Sequence, residues 1–169
     1  MRVNLKMPHV FYTFFPQLYI SHLKKIGVKI GEGTKFFGQV TIDEEYPHLV
    51  EIGENCVLTE GVKILTHDFV YSVYYHIHGN STADVFREKK VILKNNVYVG
   101  TNAIILKGVS IGENTVIGAG SVVTHSIPPN SVATGNPCQV KMSIEEYYSK
   151  CKDKSEMPSK NNLTKPSSR

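Results

Sequence analysis

Between Leu93 and Pro128 an aliphatic side chain returns at every sixth position: Leu93, Val99, Ile105, Ile111, Ile117 and Val123. This spacing fits neither the 3.6-residue period of an amphipathic helix nor the alternation of a half-buried strand. It is the pattern of a parallel β-helix, in which each hexapeptide supplies one short strand and one turn, and three hexapeptides close a coil. The intervening letters (LKNNVY, VGTNAI, ILKGVS, IGENTV, IGAGSV) put a small or β-branched residue near the fifth place and Gly or Asn at the corners. The predicted fold class is an all-β solenoid.

Upstream the repeat continues in two broken pieces, one from Ile30 (IGEGTK, FFGQVT, then Ile42) and one from Ile52 (IGENCV, LTEGVK, ILTHDF). With eighteen residues to a coil, Ile30 would recur at 48 and Ile52 at 70, but the matching residues are Ile52 and Leu93. Removing insertions of four and twenty-three residues (52 − 48 and 93 − 70) puts Ile30, Ile52, Leu93 and Ile111 on one face, which then reads IGEG, IGEN, LKNN, IGEN. The second face reads FFGQ, LTEG, VGTN, IGAG and the third IDEE, ILTH, ILKG, VTHS, so both insertions leave from the edge that follows the third face. Gly33, Asn55, Asn96 and Asn114 at the corners are residue types that tolerate positive φ. Four coils at about 4.8 Å each make a prism about 20 Å tall. Period alone leaves handedness open, and the usual crossover rule would make the coil right-handed.

The predicted organisation is an N-terminal helical cap over 1–29, a β-helix over 30–140 with a loop insertion at 70–92, a C-terminal helix over 141–152 and a disordered tail over 153–169. In the cap, Gln17 to Lys25 reads as a helix that Gly27 ends. Ser143 and Glu146 form a capping box that opens the C-terminal helix. The tail, rich in Lys, Ser, Asn and Pro, has almost nothing to bury.

Composition narrows the function classes. The 169 residues suffice for one domain with a sizeable core, and the absence of Trp leaves burial to aliphatic side chains. A net charge of +4 permits an anionic ligand such as a phosphorylated cofactor. No element concentrates Lys and Arg among aromatics, which argues against nucleic acid. The three cysteines lack metal-ligand spacing and suggest a reducing cytosol, and Cys56, at the small-residue position of IGENCV, reads as a buried free thiol. The aromatic run Val10–Ile20, broken by Pro16, is too short for a membrane span, so membrane contact is at most peripheral.

Chemistry points to the larger insertion. His67 closes the third-face strand ILTH at the root of that insertion and is followed by Asp68, whereas a repeating turn has no structural need of an imidazole. The insertion carries Tyr71, Tyr74, Tyr75, His76, His78 and Arg87, flat apolar faces with polar tips that suit a polyhydroxylated acceptor or a neighbouring subunit. A loop of this length without structure of its own is commonly functional. His125 lies two coils beyond His67, roughly 10 Å away by strand spacing. No third ligand accompanies His76 and His78, so no metal is expected.

The run IGEN…VGTNAIILKGVSIGENTVIGAGSVVTHSIPPNSVATGNP closely resembles the signature of the hexapeptide-repeat acyltransferases, over about Gly27 to Lys152. ILTHD followed by an aromatic loop, and SIEEYY after the last coil, are similar to the acetyltransferases of sugar and surface-polysaccharide pathways. The resemblance implies a left-handed parallel β-helix, a cytoplasmic homotrimer with active sites between subunits, acetyl-CoA as cosubstrate and a saccharide acceptor. It implies His67 as catalytic residue. Thr101, Ala103, Gly118 and Ala119 would line the pantetheine arm, and Thr124, His125, Pro137 and Lys141 would face the nucleotide. The chain departs from the family at His125 and Gln139, where basic residues are usual, with Lys141 as a shifted substitute. Phe37-Gly38-Gln39 replaces a stretch where the galactoside and maltose enzymes carry an Asn.

Acetyl transfer to a hydroxyl needs a base to take the proton as oxygen attacks the thioester. A His with an ordinary pKa near 6.5 suits that task. On this reading His67 is the base, Asp68 or a backbone carbonyl orients it, and a backbone N–H holds the oxyanion. The alternatives are an amino-sugar N-acetyltransferase, a xenobiotic acetyltransferase and a catalytically silent scaffold.

Overall fold

A computed structural model describes residues 15–79 and 87–153; the expected tail from 154 onward and the start of the N-terminal cap lie outside them. Two-residue strands with one outward and one inward side chain repeat along the chain: β1 (Lys29–Ile30), β2 (Lys35–Phe36) and β3 (Thr41–Ile42) form the first coil. Coil two is β4 (Val50–Ile52), β5 (Val57–Leu58) and β6 (Lys63–Ile64). Between coils two and three stand β7 (His67–Asp68) and β8 (Arg87–Glu88). Coil three is β9 (Val91–Leu93), β10 (Tyr98–Val99) and β11 (Ile104–Ile105), and coil four is β12 (Ser110–Ile111), β13 (Val116–Ile117) and β14 (Val122–Val123).

Parallel pairing stacks these coils into three sheets, and the register is the one the period predicts. Ile30 pairs with Ile52, Ile52 with Leu93 and Leu93 with Ile111. Phe36, Leu58, Val99 and Ile117 align on the second face, and Ile42, Ile64, Ile105 and Val123 on the third. These inward residues are 9% exposed or less and form one continuous core. The inward position must be apolar because each side chain meets its counterparts above and below at the strand spacing of about 4.8 Å. At the corner between faces one and two, Asn55, Asn96, Asn114 and Asn130 all have φ between 54° and 58°. Their amides also form a ladder: Asn96 Nδ2 donates to Asn114 Oδ1 (3.0 Å) and Asn114 Nδ2 to Asn130 Oδ1 (2.9 Å).

The solenoid extends past the four predicted coils. Ile127 bridges to Ile111, and β15 (Ser131–Thr134) pairs with β13 through Ala133 and Ile117, making a shortened fifth turn. β16 (Gln139–Ser143) then folds back antiparallel on β15, so sheet structure runs three residues beyond the boundary expected at 140.

Both ends of the prism are covered. Helix α1 (Pro16–Ile26) starts with Pro at its first position and ends on Gly27 (φ 117°), whose N–H returns to Leu23 O. It buries Tyr19, Ile20 and Leu23, with Tyr19 edge-on to Phe36 at 6.2 Å. The four-residue insertion is a 3₁₀ turn, Pro47–Leu49. The larger insertion is not the loop expected from the sequence: it contains helix α2 (Val70–Ile77), and β8 pairs antiparallel with β7. At the far end α3 (Ile144–Asp153) is capped by Ser143, whose Oγ accepts from Glu146 N–H at 3.1 Å. The Glu146 carboxylate pairs with Lys150.

Candidate active site

His67 sits where the third-face edge opens into the insertion, its ring 19% exposed. The coil below supplies its main partner. Because Ile42 stacks on Ile64, the segment Asp43–Glu45 lies beneath Leu65–His67, and Asp43 Oδ2 meets His67 Nδ1 at 2.6 Å. The same oxygen accepts the Thr66 hydroxyl and, at 3.3 Å, the Thr66 N–H, while Oδ1 accepts Glu45 N–H at 3.1 Å. Burial would raise the Asp43 pKa, but the Thr66, Glu45 and His67 donors outweigh it and hold the carboxyl below its ordinary value. On the other side of the ring, Glu45 Oε2 stands 3.7 Å from Nε2, beyond hydrogen-bond length. Tyr46 and Phe69 contact the imidazole edge-on, with centroids at 5.4 and 5.6 Å.

Asp68 does not orient His67. Its Oδ1 takes Lys107 Nζ at 2.6 Å, and that hydrogen bond, opposed by some burial, lowers its pKa. Lys107 also donates to Arg87 O at 3.1 Å, so it ties both strands of the β7–β8 hairpin to coil three. The orienting carboxylate is Asp43, twenty-four residues upstream of His67. The signal for it lay in the phasing, which sets IDEE directly under ILTH.

The aromatic and imidazole residues of the insertion do not converge on His67 Nε2. Arg87 lies over the Tyr71 ring at 5.2 Å. Tyr74 stacks on His78 (4.2 Å) and meets Tyr75 edge-on (5.6 Å). His76 Nδ1 and His78 Nδ1 are bound to the Ser72 and Tyr74 carbonyls of their own helix. No side chain of α2 is buried, and Val70, Val73, Tyr74 and Ile77 are each more than half exposed.

The residues expected at the cosubstrate lie elsewhere on the prism. Thr101, Gly118 and Ala119 stack at the corner between faces two and three, where Gly120 N–H donates to Thr101 O, and Ala103 is buried just beyond. Thr124 bonds to His125 Nδ1 at 2.8 Å on the third-face edge, two coils from His67. Pro137 and Lys141 are exposed near the end of the solenoid. One chain therefore places its imidazole on one edge and the Thr101–Ala119 corner on the next. Among the described residues no cluster of His, Cys, Asp and Glu could hold a metal ion, and no helix is long and apolar enough to cross a membrane.

Residues 90–125 match the family of bacterial transferase hexapeptide repeats (six repeats). The chain is 36% identical over 130 residues to Protein CapG of Staphylococcus aureus, covering 76% of this chain and 73% of that one. The chain belongs to the hexapeptide-repeat acetyltransferase family. It is also 34% identical over 139 residues to the galactoside O-acetyltransferase of Escherichia coli K12, covering 80% of this chain but only 64% of that relative's length. A galactoside acetyltransferase solved in complex with coenzyme A superposes with a TM-score of 0.58 at 27% identity, over 79% of this chain and 74% of that one.

Proposed function

We propose that this chain transfers the acetyl group of acetyl-CoA to a hydroxyl of a saccharide, with His67 as general base. The observation that carries the reading is the His67 environment. Nδ1 is engaged by a buried carboxylate, Nε2 has Glu45 Oε2 3.7 Å away, and Tyr46 and Phe69 contact the ring edge-on. An acceptor hydroxyl bound there gives its proton to Nε2 as its oxygen attacks the thioester carbonyl. A backbone N–H of an adjacent coil holds the oxyanion. When the C–S bond breaks, the imidazolium returns the proton to the thiolate, leaving an acetyl ester, CoA and neutral His67. The Tyr46 and Phe69 rings and the Glu45 carboxylate supply the flat faces and the hydrogen-bond acceptor that a sugar needs.

Because base and cosubstrate corner lie on successive edges of one prism, the site closes between copies: His67 of one protomer works against the Thr101–Ala119 corner of the next. Three-fold closure, with a left-handed coil, is the arrangement that fits this placement and the family. Thr124, His125, Pro137 and Lys141 face the nucleotide end. The three free thiols, Cys56, Cys138 and Cys151, suit a reducing cytoplasm. The test is CoA release from acetyl-CoA against a panel of mono-, oligo- and nucleotide sugars. Acceptor-dependent release with an O-acetyl product supports the reading; acceptor-independent hydrolysis, or acetylation of an amine alone, refutes it.

A further inference from the structure

We propose that Thr66 is a positioning residue of this reaction, acting on His67 through the Asp43 carboxylate. The inference rests on His67 being the base and goes beyond it. Thr66 is fully buried. Four other serines and threonines are buried among the described residues, and each donates to the backbone: Thr34 to Gly53 O, Thr115 to Glu113 O and Pro128 O, Ser121 to Gly118 O and Ser131 to Pro129 O. Those bonds hold the repeat together. Among the buried serines and threonines, Thr66 alone donates to a carboxylate.

Nor does the repeat call for a hydroxyl at this place. The residues two beyond the inward third-face side chain in the other coils are Glu44, Lys107 and His125, none of them buried. The residue one beyond is Leu65, Leu106 or Thr124, where coil one has Asp43, whose side chain is 8% exposed. An acid one residue beyond the inward side chain and a buried hydroxyl two beyond occur only where they meet His67.

Donor counting gives the consequence. An ionised carboxylate only accepts, and it has about four lone-pair sites. Asp43 receives the Thr66 hydroxyl, the Thr66 N–H, the Glu45 N–H and the His67 ring. The two N–H groups can only donate, and with the Thr66 hydroxyl donating as well they hold the carboxyl below its ordinary pKa in spite of burial. Nδ1 of neutral His67 must then carry the ring proton, which leaves the basic lone pair on Nε2, the nitrogen the transfer requires. Without Thr66 the carboxylate loses a donor, becomes the stronger acceptor and favours the imidazolium.

The other charged and titratable groups around the ring are Glu45 and Tyr46 from coil one, Asp68 on its own strand with Lys107 behind it, and Glu88, its cross-strand partner. Two substitutions should therefore move the acid limb of the kcat/KM profile in opposite directions. Asp43→Asn removes the negative charge and moves the limb to lower pH. Thr66→Val moves it to higher pH and lowers kcat roughly 10-fold, the rate equivalent of one charge-assisted hydrogen bond, with KM for acetyl-CoA unchanged. Thr66→Ser restores both. Loss of kcat with an unmoved limb in both variants, or a limb that moves with Asp68→Asn instead, overturns the proposal. Imidazole ¹⁵N spectra of the wild-type protein, with the His67 signal assigned by His67→Ala, test it without turnover: Nδ1–H in the neutral ring supports it and Nε2–H refutes it. Failure of the functional reading looks different, since it appears as a wild-type protein without acceptor-dependent CoA release.

Discussion

Replacing Lys107 by Met should loosen the insertion and leave the prism intact. The Lys107 side chain is 17% exposed, and its Nζ reaches Asp68 Oδ1 at 2.6 Å and Arg87 O at 3.1 Å. A hydrogen bond to a charged group contributes about 1.5–3 kcal/mol, and an exposed ion pair about 0–1 kcal/mol. Asp68 is 48% exposed, so solvent screening puts the loss at about 1–2 kcal/mol. Met keeps the aliphatic stem that packs against coil three. The loss therefore falls on the β7–β8 hairpin, whose open form becomes about 5–30 times more populated. Hydrogen exchange reads this directly. The Lys89 N–H, which donates to Thr66 O at 2.8 Å, and the amides of residues 67–79 should exchange faster by that factor. Amides of β5, β10 and β13 should not change. With the acceptor site loosened, KM for the acceptor should rise several-fold while KM for acetyl-CoA stays constant. Unchanged exchange at Lys89, or a loss of protection spread evenly over all coils, would refute the reasoning.

Three further predictions follow from the stacking. Gly53→Ala should lower the melting temperature sharply, because a Cβ there would stand 2.4 Å from Asn95 Oδ1 and 2.7 Å from Lys94 C in the next coil; thermal unfolding checks it. Ser143→Ala should remove about 1 kcal/mol from α3 alone, seen as faster exchange of the Glu146 amide with little change in melting temperature. Glu51, clamped by Lys29 (2.8 Å) and Lys90 (2.6 Å), has its pKa lowered by those two hydrogen bonds. Its contribution to stability is therefore present above its unfolded pKa and is lost as pH falls through the lower folded value. Glu51→Gln should narrow the stability gap to wild type in acid and widen it near neutrality, measured by urea unfolding across pH.

Much of this architecture was legible in the sequence for a simple reason: every inward position of every coil answers to the same packing constraint. Ile30, Ile52, Leu93 and Ile111 could be aligned without any knowledge of what lay between them. The insertion obeys no such constraint. VYSVYYHI is rich in β-branched and aromatic residues that favour strands, and none of its side chains is buried, so neither propensity nor periodicity marked the helix. The short fifth turn falls within the β-helix expected through 140 but outside the six-residue count, because the next stacked residue, Ile127, comes four residues after Val123. His67 stood out as an imidazole where a turn needs none. Its carboxylate did not, because the eye goes to Asp68 next in sequence, while in a solenoid the closest neighbours are about one coil away. Asp43 is found by reading down the columns of the repeat.

The central claim is that His67 takes the acceptor proton. The most direct test is turnover of His67→Ala with a working saccharide acceptor, alongside calorimetric binding of acetyl-CoA to the same protein. General-base catalysis contributes about 10²–10⁴-fold, so kcat should fall by that factor while acetyl-CoA affinity stays within about twofold of wild type. Turnover near the wild-type rate would contradict the account.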